Sequence, residues 1–247
     1  MMDISPVKKT SISEEITEQL LRLILRGKLE PGEKLTPERD LAASFNTNRN
    51  TLREAIRNLE TLNLVEARQG DGLRVRDFRM TGELNLLPYY LREAQDREEL
   101  FRVLDDVLGV RRLLFEGVCQ ILTARASRDQ LEQIRGMVLA QRNNEGDPGA
   151  MFLADLAISE AMVTASQSMA SRWMFNTFAK IYGEIVSQFP VLWVFTDDYV
   201  EARTAVLDAA MAGNGEKARE LMRAHLERTD KMVMAVVSEF AATMSQA

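Results

Sequence analysis

Cysteine and histidine are almost absent from this 247-residue sequence, which contains one of each. The single cysteine, Cys119, excludes an internal disulfide and the paired-cysteine motifs of zinc and redox sites. The single histidine, His225, excludes metal sites built from several imidazoles and leaves few options for a catalytic triad. The shortage of histidine weighs against an enzyme, and the lack of an internal disulfide suits the reducing cytoplasm.

Long apolar runs are also missing, since no stretch approaches the roughly 20 uninterrupted apolar residues of a membrane-spanning helix. Residues 1–11 likewise lack the apolar core of a secretion signal. We therefore expect a soluble, cytoplasmic protein without membrane association. Aromatic residues are few, at 6%, and the length suits two domains that are mostly α-helical.

Charge is unevenly distributed along the chain, whose formal net charge is −6. Residues 1–79 contain 14 Lys and Arg against 13 Asp and Glu, whereas residues 80–247 contain 17 against 24. The negative charge therefore belongs to the second part of the chain. Nucleic-acid binding would have to come from a local basic surface in the first part.

Three amphipathic helices and a hairpin are predicted within residues 13–76. Thr36 and Pro37 supply an N-cap and a first-turn proline for the second helix. Extended segments at 64–68 and 73–76 flank a glycine-containing turn, as in a β-hairpin. This order of elements predicts a winged helix-turn-helix. The predicted buried stripes are Ile16, Leu20, Leu23 and Ile24 in the first helix and Leu52, Ala55, Ile56 and Leu59 in the third.

The third helix carries arginines away from its apolar stripe. Arg49, Arg53 and Arg57 recur every four residues and therefore share one face. In a helix-turn-helix this helix lies in the major groove, where arginine can bridge the two acceptors of guanine. An arginine stripe alone is also typical of a solvated helix face, but that interpretation leaves the neighbouring elements unexplained. The candidate DNA contacts that this pattern indicates are Arg39, Arg49, Asn50, Arg53, Arg57 and Gln69 of the wing.

The same segment resembles the N-terminal domain of the GntR family of bacterial regulators. The resemblance implies that Arg39, Arg49, Arg53 and the wing-tip Gly70 hold the family's DNA-contacting positions. It also implies contacts from Asn48, Asn50 and Thr51 at the start of the helix. Asn50 stands where the family commonly has threonine, which bears on the operator sequence and not on the fold. The matching stretches are Ile24 to Leu35, Pro37-Glu38-Arg39-Asp40-Leu41-Ala42, Asn48 to Ala55 and Gly70 to Val75.

The remainder of the chain is predicted to be an all-helical bundle of six to seven helices. Gly82 and Pro88 interrupt the helical periodicity before it, as expected of a linker. We therefore divide the chain into a winged helix-turn-helix domain at residues 1–78, a linker at 79–97 and a regulatory domain at 98–247. The predicted helical spans of that last domain are 98–126, 128–142, 150–165, 172–188, 196–212 and 215–243.

This second domain resembles the FadR branch of the GntR family, whose helical domain binds an effector and often a metal. Arg112 to Glu116 is similar to an R-x-x-L-E element on its first long helix. The resemblance implies a metal site of one Asp and three His, yet the corresponding positions hold Asp155, Ser159, Arg203 and His225. One carboxylate and one imidazole beside an arginine make a poor divalent site, so we predict no metal and no other cofactor.

The predicted effector is a fatty acyl-CoA or another carboxylate-bearing molecule. Acyl-CoA-responsive members of the branch also lack the metal ligands, and Thr81 to Leu87 resembles their linker. The candidate effector contacts are Arg112, Asp155, Ser159, Arg203 and His225, with the two arginines as anion partners. His225 is also explained as a hydrogen-bonded core histidine, and the arginines are also explained as surface ion pairs.

The complete prediction is a homodimeric transcription factor that binds a palindromic double-stranded operator under effector control. The alternative within the family is a metal-dependent sensor of organic acids. An enzyme with a DNA-binding head would have to use Cys119, Asp155 and His225. An architectural DNA binder without an effector is the remaining alternative.

Overall fold

The computed structural model describes residues 11–93, 95–144, 146–188, 192 and 194–244. The described residues form eleven α-helices, two short 3-10 turns and one two-stranded antiparallel sheet. The chain divides into two compact units, Met1–Gln95 and Asp96–Ala247. None of the helices in the described residues has the length and apolar character needed to cross a membrane.

The first unit has the predicted winged helix-turn-helix fold. Residues 32–35 add a short pairing to the second strand of its hairpin, because Leu35 N donates to Leu73 O at 2.8 Å. The hairpin pairs Val65 with Val75 and Arg68 with Gly72. The elements are α1 (Ile12–Leu25), α2 (Glu38–Ser44), α3 (Arg49–Thr61), β1 (Val65–Arg68) and β2 (Gly72–Val75).

The core of this unit lies between α1 and α3. The predicted stripe of α3 is confirmed, since its four apolar side chains are at most 6% exposed. In α1 the prediction is wrong for Leu23, which is 41% exposed, whereas Leu21 is completely buried. Successive residues of an α-helix are 100° apart, and Leu23 falls just outside the arc that Ile16, Leu21 and Ile24 occupy.

Three short elements follow the hairpin in the stretch expected to be a linker. They are α4 (Phe78–Thr81), a 3-10 turn (Leu84–Leu86) and α5 (Leu87–Glu93), and they belong to the first unit. Glu93 is 4% exposed and pairs with Arg22 at 3.2 Å and Arg26 at 3.0 Å. These ion pairs attach α5 to α1.

The second unit is the predicted helical bundle, with six α-helices in its described residues. Asp96, Ser127 and Asp147 cap helices in it by accepting hydrogen bonds from first-turn N–H groups. The helices are α6 (Arg97–Arg125), α7 (Arg128–Ala140), α8 (Pro148–Ala165), α9 (Met169–Gln188), α10 (Tyr199–Met211) and α11 (Gly215–Met244).

The longest helices of the bundle, α6 and α11, form its most extensive helix pair. Val118 and Leu122 of α6 and Met222 of α11 are completely buried in the common core. Ion pairs at two levels add to this contact. Glu116 of α6 meets Arg223 of α11, and Asp230 of α11 meets Arg111 and Arg112 of α6.

Candidate DNA-binding surface and effector site

Asn48 determines where α3 begins. Its backbone is extended, and its side-chain Oδ1 accepts hydrogen bonds from Asn50 N at 2.9 Å and Thr51 N at 3.0 Å. The turn before it includes Asn46 in the left-handed region, with φ of 48°. This cap exposes Asn50 at the start of α3 and leaves Thr51 half-buried.

The face of α3 opposite the core carries the predicted arginines. Arg49, Arg53 and Arg57 are all exposed. Arg53 Nε donates to Glu38 Oε2 of α2 at 2.9 Å, although the Arg53 side chain remains 57% exposed. Within the described part of the chain, Arg49 and Arg57 form no ion pair. The helix therefore presents guanidinium groups on the side away from its leucines.

The wing places its tip in solvent. Gly70 and Gly72 have φ of +79° and +89°, and Gln69 is exposed beside them. Arg74 supports the turn by donating to Asp71 at 2.5 Å and to the carbonyl of Gly32 at 2.6 Å. The hydrogen bond from Arg74 lowers the pKa of Asp71, so this carboxylate stays charged.

An open groove of about 460 Å³ lies between α2, α3 and the wing. Four cationic side chains line it, together with three carboxylates and the backbone of Gly70 and Gly72. Arg39 lies at the start of α2, is 76% exposed and pairs with Asp40 at 2.9 Å. The cationic lining residues are Lys34, Arg53, Arg57 and Arg68, and the carboxylates are Glu38, Glu60 and Asp71.

In the second unit, α8 and α10 bring three predicted effector residues together around a buried guanidinium. The side chain of Arg203 is only 3% exposed. Its Nη2 lies 3.6 Å from Asp155 Oδ1 and 3.4 Å from Ser159 Oγ. Its Nη1 meets the sulfur of Met222 at 3.6 Å, and its Nε has no hydrogen-bond partner among the residues that the structure describes.

His225 of α11 joins this cluster through an aromatic contact. Its ring lies 5.5 Å from the ring of Tyr199, whose hydroxyl donates to Asp155 Oδ1 at 2.5 Å. Burial and the nearby Arg203 lower the pKa of His225 to about 3, so its imidazole is neutral at neutral pH. Burial and Asp155 raise the pKa of Tyr199, which therefore keeps its proton. His225 Nδ1 is buried and has no hydrogen-bond partner in the described part of the chain.

The remaining effector candidate, Arg112, pairs with Asp230, and so does its neighbour Arg111. Arg111 lies close enough to His225 and Tyr182 to change the pKa of both, so it borders the same cluster. Sequence reasoning missed Arg111, Tyr182 and Tyr199. The only local signal was the position of Arg111 beside Arg112.

The cluster does not fit the divalent metal of similar sensor domains. Among the described residues, no group of three or more His, Cys, Asp and Glu is placed to hold an ion. Arg203 occupies one of the four positions that would supply metal ligands. The fixed positive charge of its guanidinium would repel a cation.

Cys119 offers no nucleophile. It is completely buried in α6, and this burial raises the pKa of its thiol to about 12. The thiolate required for covalent catalysis is therefore not formed at neutral pH.

Comparison with known proteins identifies both units. The family described as bacterial regulatory proteins, gntR family, matches residues 12–75, and the FCD domain matches residues 106–228. The HTH-type transcriptional regulator Mce2R of Mycobacterium tuberculosis is 30% identical over 236 residues, covering 96% of this chain and 97% of that protein. An Escherichia coli protein named as an L-lactate dehydrogenase operon regulatory protein is 28% identical over 222 residues, covering 87% and 83%.

A solved structure supports the fold alone. It belongs to Lar, described as controlling the expression of the Listeria monocytogenes agr system, and it is 15% identical to this chain. The superposition covers 92% of this chain and 98% of the other, with a TM-score of 0.53. The protein is thus a transcriptional regulator and not an enzyme: it belongs to the GntR family of bacterial regulatory proteins, and its second unit contains an FCD domain.

Proposed function

We propose that this regulator binds a palindromic operator as a homodimer and that a carboxylate-bearing effector controls its affinity for the operator. In this proposal residues 1–78 bind DNA and residues 98–247 bind the effector. Residues 79–97 form the linker between these two domains. The observation that carries the proposal is that the arginines of α3 are exposed on the face opposite its buried leucines. Bacterial operators lie in the cytoplasm, so the protein would act there.

The roles of the DNA-binding residues follow from their positions. Arg49, Asn50 and Arg53 lie in the first two turns of α3, the part of such a helix that contacts base edges in the major groove. Arg57 and Gly70 of the wing tip line the groove beside Arg53, and Arg39 is exposed at the start of α2; these residues would contact the phosphate backbone. Each phosphate contact releases counterions, so a local basic surface suffices even on an acidic protein.

The DNA-binding part is tested on duplexes that the protein selects from a random-sequence library. Arg49→Ala and Arg53→Ala should each lower operator affinity by about ten- to hundred-fold in fluorescence anisotropy, because each removes a guanidinium contact. Both residues lie off the apolar stripe, so melting temperatures should stay unchanged. Arg128→Ala is the matched control, since it removes an exposed arginine of α7 that pairs with the exposed Glu132. Wild-type affinity in both α3 variants would refute the assignment.

The proposed effector chemistry rests on the cluster in the second unit. Guanidinium groups pair with carboxylates through two parallel hydrogen bonds, and Arg203, Arg111 and Arg112 all lie in or beside the cluster. Asp155, Ser159 and His225 supply further polar contacts. The name of the E. coli relative refers to the operon of L-lactate dehydrogenase, an enzyme that acts on a hydroxy acid. That name is consistent with an organic acid as the effector. We favour a carboxylate over an acyl-CoA because a thioester has no charge at the acyl end.

The effector part is tested by measuring operator affinity with L-lactate, octanoate and octanoyl-CoA. Coupling between two sites is typically about 1 to 3 kcal/mol, so the right carboxylate should change operator affinity roughly 5- to 150-fold. An acyl-CoA that changes affinity while both carboxylates have no effect would contradict the proposed chemistry. Operator affinity that no small molecule changes would support a purely architectural binder.

A further inference from the structure

We infer that the buried guanidinium of Arg203 takes the place of a metal ion in this sensor domain and binds the effector's carboxylate directly. Effector binding then requires no metal. This inference rests on the effector control proposed above, but it goes further by naming the group that recognises the ligand and the chemistry that this group selects.

The first observation is a set of buried polar groups without partners. The described residues include three buried nitrogens of this kind around the cluster: Arg203 Nε, His225 Nδ1 and Arg111 Nε. Arg203 and His225 are each 3% exposed as whole residues. A buried polar group without a hydrogen bond costs free energy, so such groups in native proteins usually have a partner that completes them.

The second observation is that the partners of Arg203 do not saturate its guanidinium. Charge-assisted hydrogen bonds between guanidinium and carboxylate are usually about 2.7 to 2.9 Å long. Here Nη2 lies 3.6 Å from Asp155 and 3.4 Å from Ser159, and Nη1 contacts the weak acceptor sulfur of Met222 at 3.6 Å. Tyr199 is a further neighbour, with its ring 5.9 Å from the guanidinium carbon, but Arg203 Nε has no hydrogen-bond partner among the described residues. Arg203 is held in place but retains donors for an anion.

The third observation is the charge of the cluster. Arg203, Arg111 and Arg112 carry three positive charges, while Asp155 and Asp230 carry two negative charges. The neighbouring Arg228 is already paired with Asp198 at 2.8 Å. The fixed positive charge of the buried Arg203 therefore favours a negatively charged ligand group at this cluster and would repel a divalent cation.

The selected ligand class is an organic acid that presents one carboxylate to the cluster. A short hydroxy acid and a fatty acid share this group and differ only in the rest of the molecule. The probes are therefore L-lactate and octanoate, each with its neutral amide, lactamide or octanamide. If the carboxylate is what Arg203 binds, each amide should bind at least about tenfold more weakly than its acid.

The first experiment uses the full-length wild-type chain after removal of metal with EDTA. Isothermal titration calorimetry should show that one of the two acids binds with the same affinity with EDTA and with added Zn²⁺. Binding that disappears with EDTA and returns with Zn²⁺ would overturn the inference while leaving effector control intact. If only octanoyl-CoA binds and alters operator affinity, the inference is also overturned, although the protein remains a ligand-controlled regulator.

The second experiment uses variants that keep or remove the guanidinium. Arg203→Gln should weaken the acid about ten- to hundred-fold, and Arg203→Lys should weaken it less because it keeps the charge. Arg135→Gln is the matched control, since it removes an arginine of α7 that pairs with Asp208 at 2.8 Å. Circular dichroism verifies that each variant is folded. Unchanged affinity in folded Arg203→Gln would contradict the assignment.

A third experiment exchanges the guanidinium for metal ligands. The double variant S159H/R203H would combine Asp155 and His225 with two new imidazoles, which is a suitable donor set for Zn²⁺. We expect this variant to bind Zn²⁺ and the acid only when Zn²⁺ is present. If the variant binds the acid without metal as strongly as the wild type does, Arg203 is not the cationic group that binds the carboxylate.

Discussion

Gly70 lies at the wing tip in a backbone conformation that favours glycine. Its φ of +79° lies in the left-handed region, although a Cβ there would meet no atom within 4 Å. Gly70→Ala should therefore lower the free energy of unfolding by about 1 kcal/mol through backbone strain alone. Urea denaturation measures this change.

Gly136 is the matched control for that prediction. It is exposed within α7, has no positive φ, and a Cβ there would also meet nothing within 4 Å. Because alanine favours a helix over glycine by up to about 1 kcal/mol, Gly136→Ala should stabilise the protein. Equal effects of the two substitutions would contradict the account of the wing turn.

Single residues also show what the sequence could and could not predict. The cap by Asn48 was predictable because Asn bonds to N–H groups two and three positions ahead. The cap by Thr36 was wrong, since Pro37 takes the N-cap position with ψ of 141° and α2 begins at Glu38. The contact of Arg111 with Asp230 spans 119 positions, and no local pattern carries information about such a pairing.

At the scale of elements, Glu116 connects α6 to α11. It is 6% exposed and accepts hydrogen bonds from Arg223 Nε at 2.8 Å and Nη2 at 2.5 Å. Glu116→Gln should lower the free energy of unfolding by about 1 to 2 kcal/mol, a range that allows for solvent screening at the half-exposed Arg223. Glu132→Gln is the control, because its exposed pair with Arg128 should contribute less than about 0.5 kcal/mol.

The same pair predicts a pH dependence. The hydrogen bonds from Arg223 lower the pKa of Glu116 below its ordinary value of 4.5. A carboxyl group with a lowered folded-state pKa stabilises the fold above its unfolded pKa and loses this contribution as the pH falls through the folded value. Denaturation at several pH values below 4.5 should therefore show a shallower decline for Glu116→Gln than for the wild type. Parallel declines would refute the pairing.

Most element boundaries were predictable because apolar periodicity and caps are local properties of a sequence. The predicted helix 128–142 corresponds to α7 with a 3-10 turn at its end, and 215–243 corresponds to α11. The elements in residues 84–93 were harder to predict, since Pro88 interrupts the helical periodicity. These residues are ordered by tertiary contacts instead: Leu86 joins the core of the first unit, and Glu93 pairs with α1.

At the scale of the whole molecule, charge and fold differ between the two parts of the chain to which we assign the two proposed tasks, DNA binding and effector binding. The first unit carries an exposed guanidinium face on an amphipathic helix, and the second, more acidic part of the sequence buries a guanidinium within a helical bundle. The same side chain is suited to both tasks because guanine and a carboxylate each offer two adjacent acceptors. In this proposal the exposed arginines of α3 contact guanine, and the buried Arg203 contacts the carboxylate of the effector.

Methylation interference can show whether α3 contacts base edges in the major groove. Dimethyl sulfate methylates guanine N7 in the major groove and adenine N3 in the minor groove, so each groove is tested separately. On a duplex selected by the protein, guanine methylation should block binding at two positions about 10 base pairs apart, one for each subunit of a homodimer. Binding that tolerates every guanine methylation, or that is blocked only by adenine N3 methylation, would contradict the account.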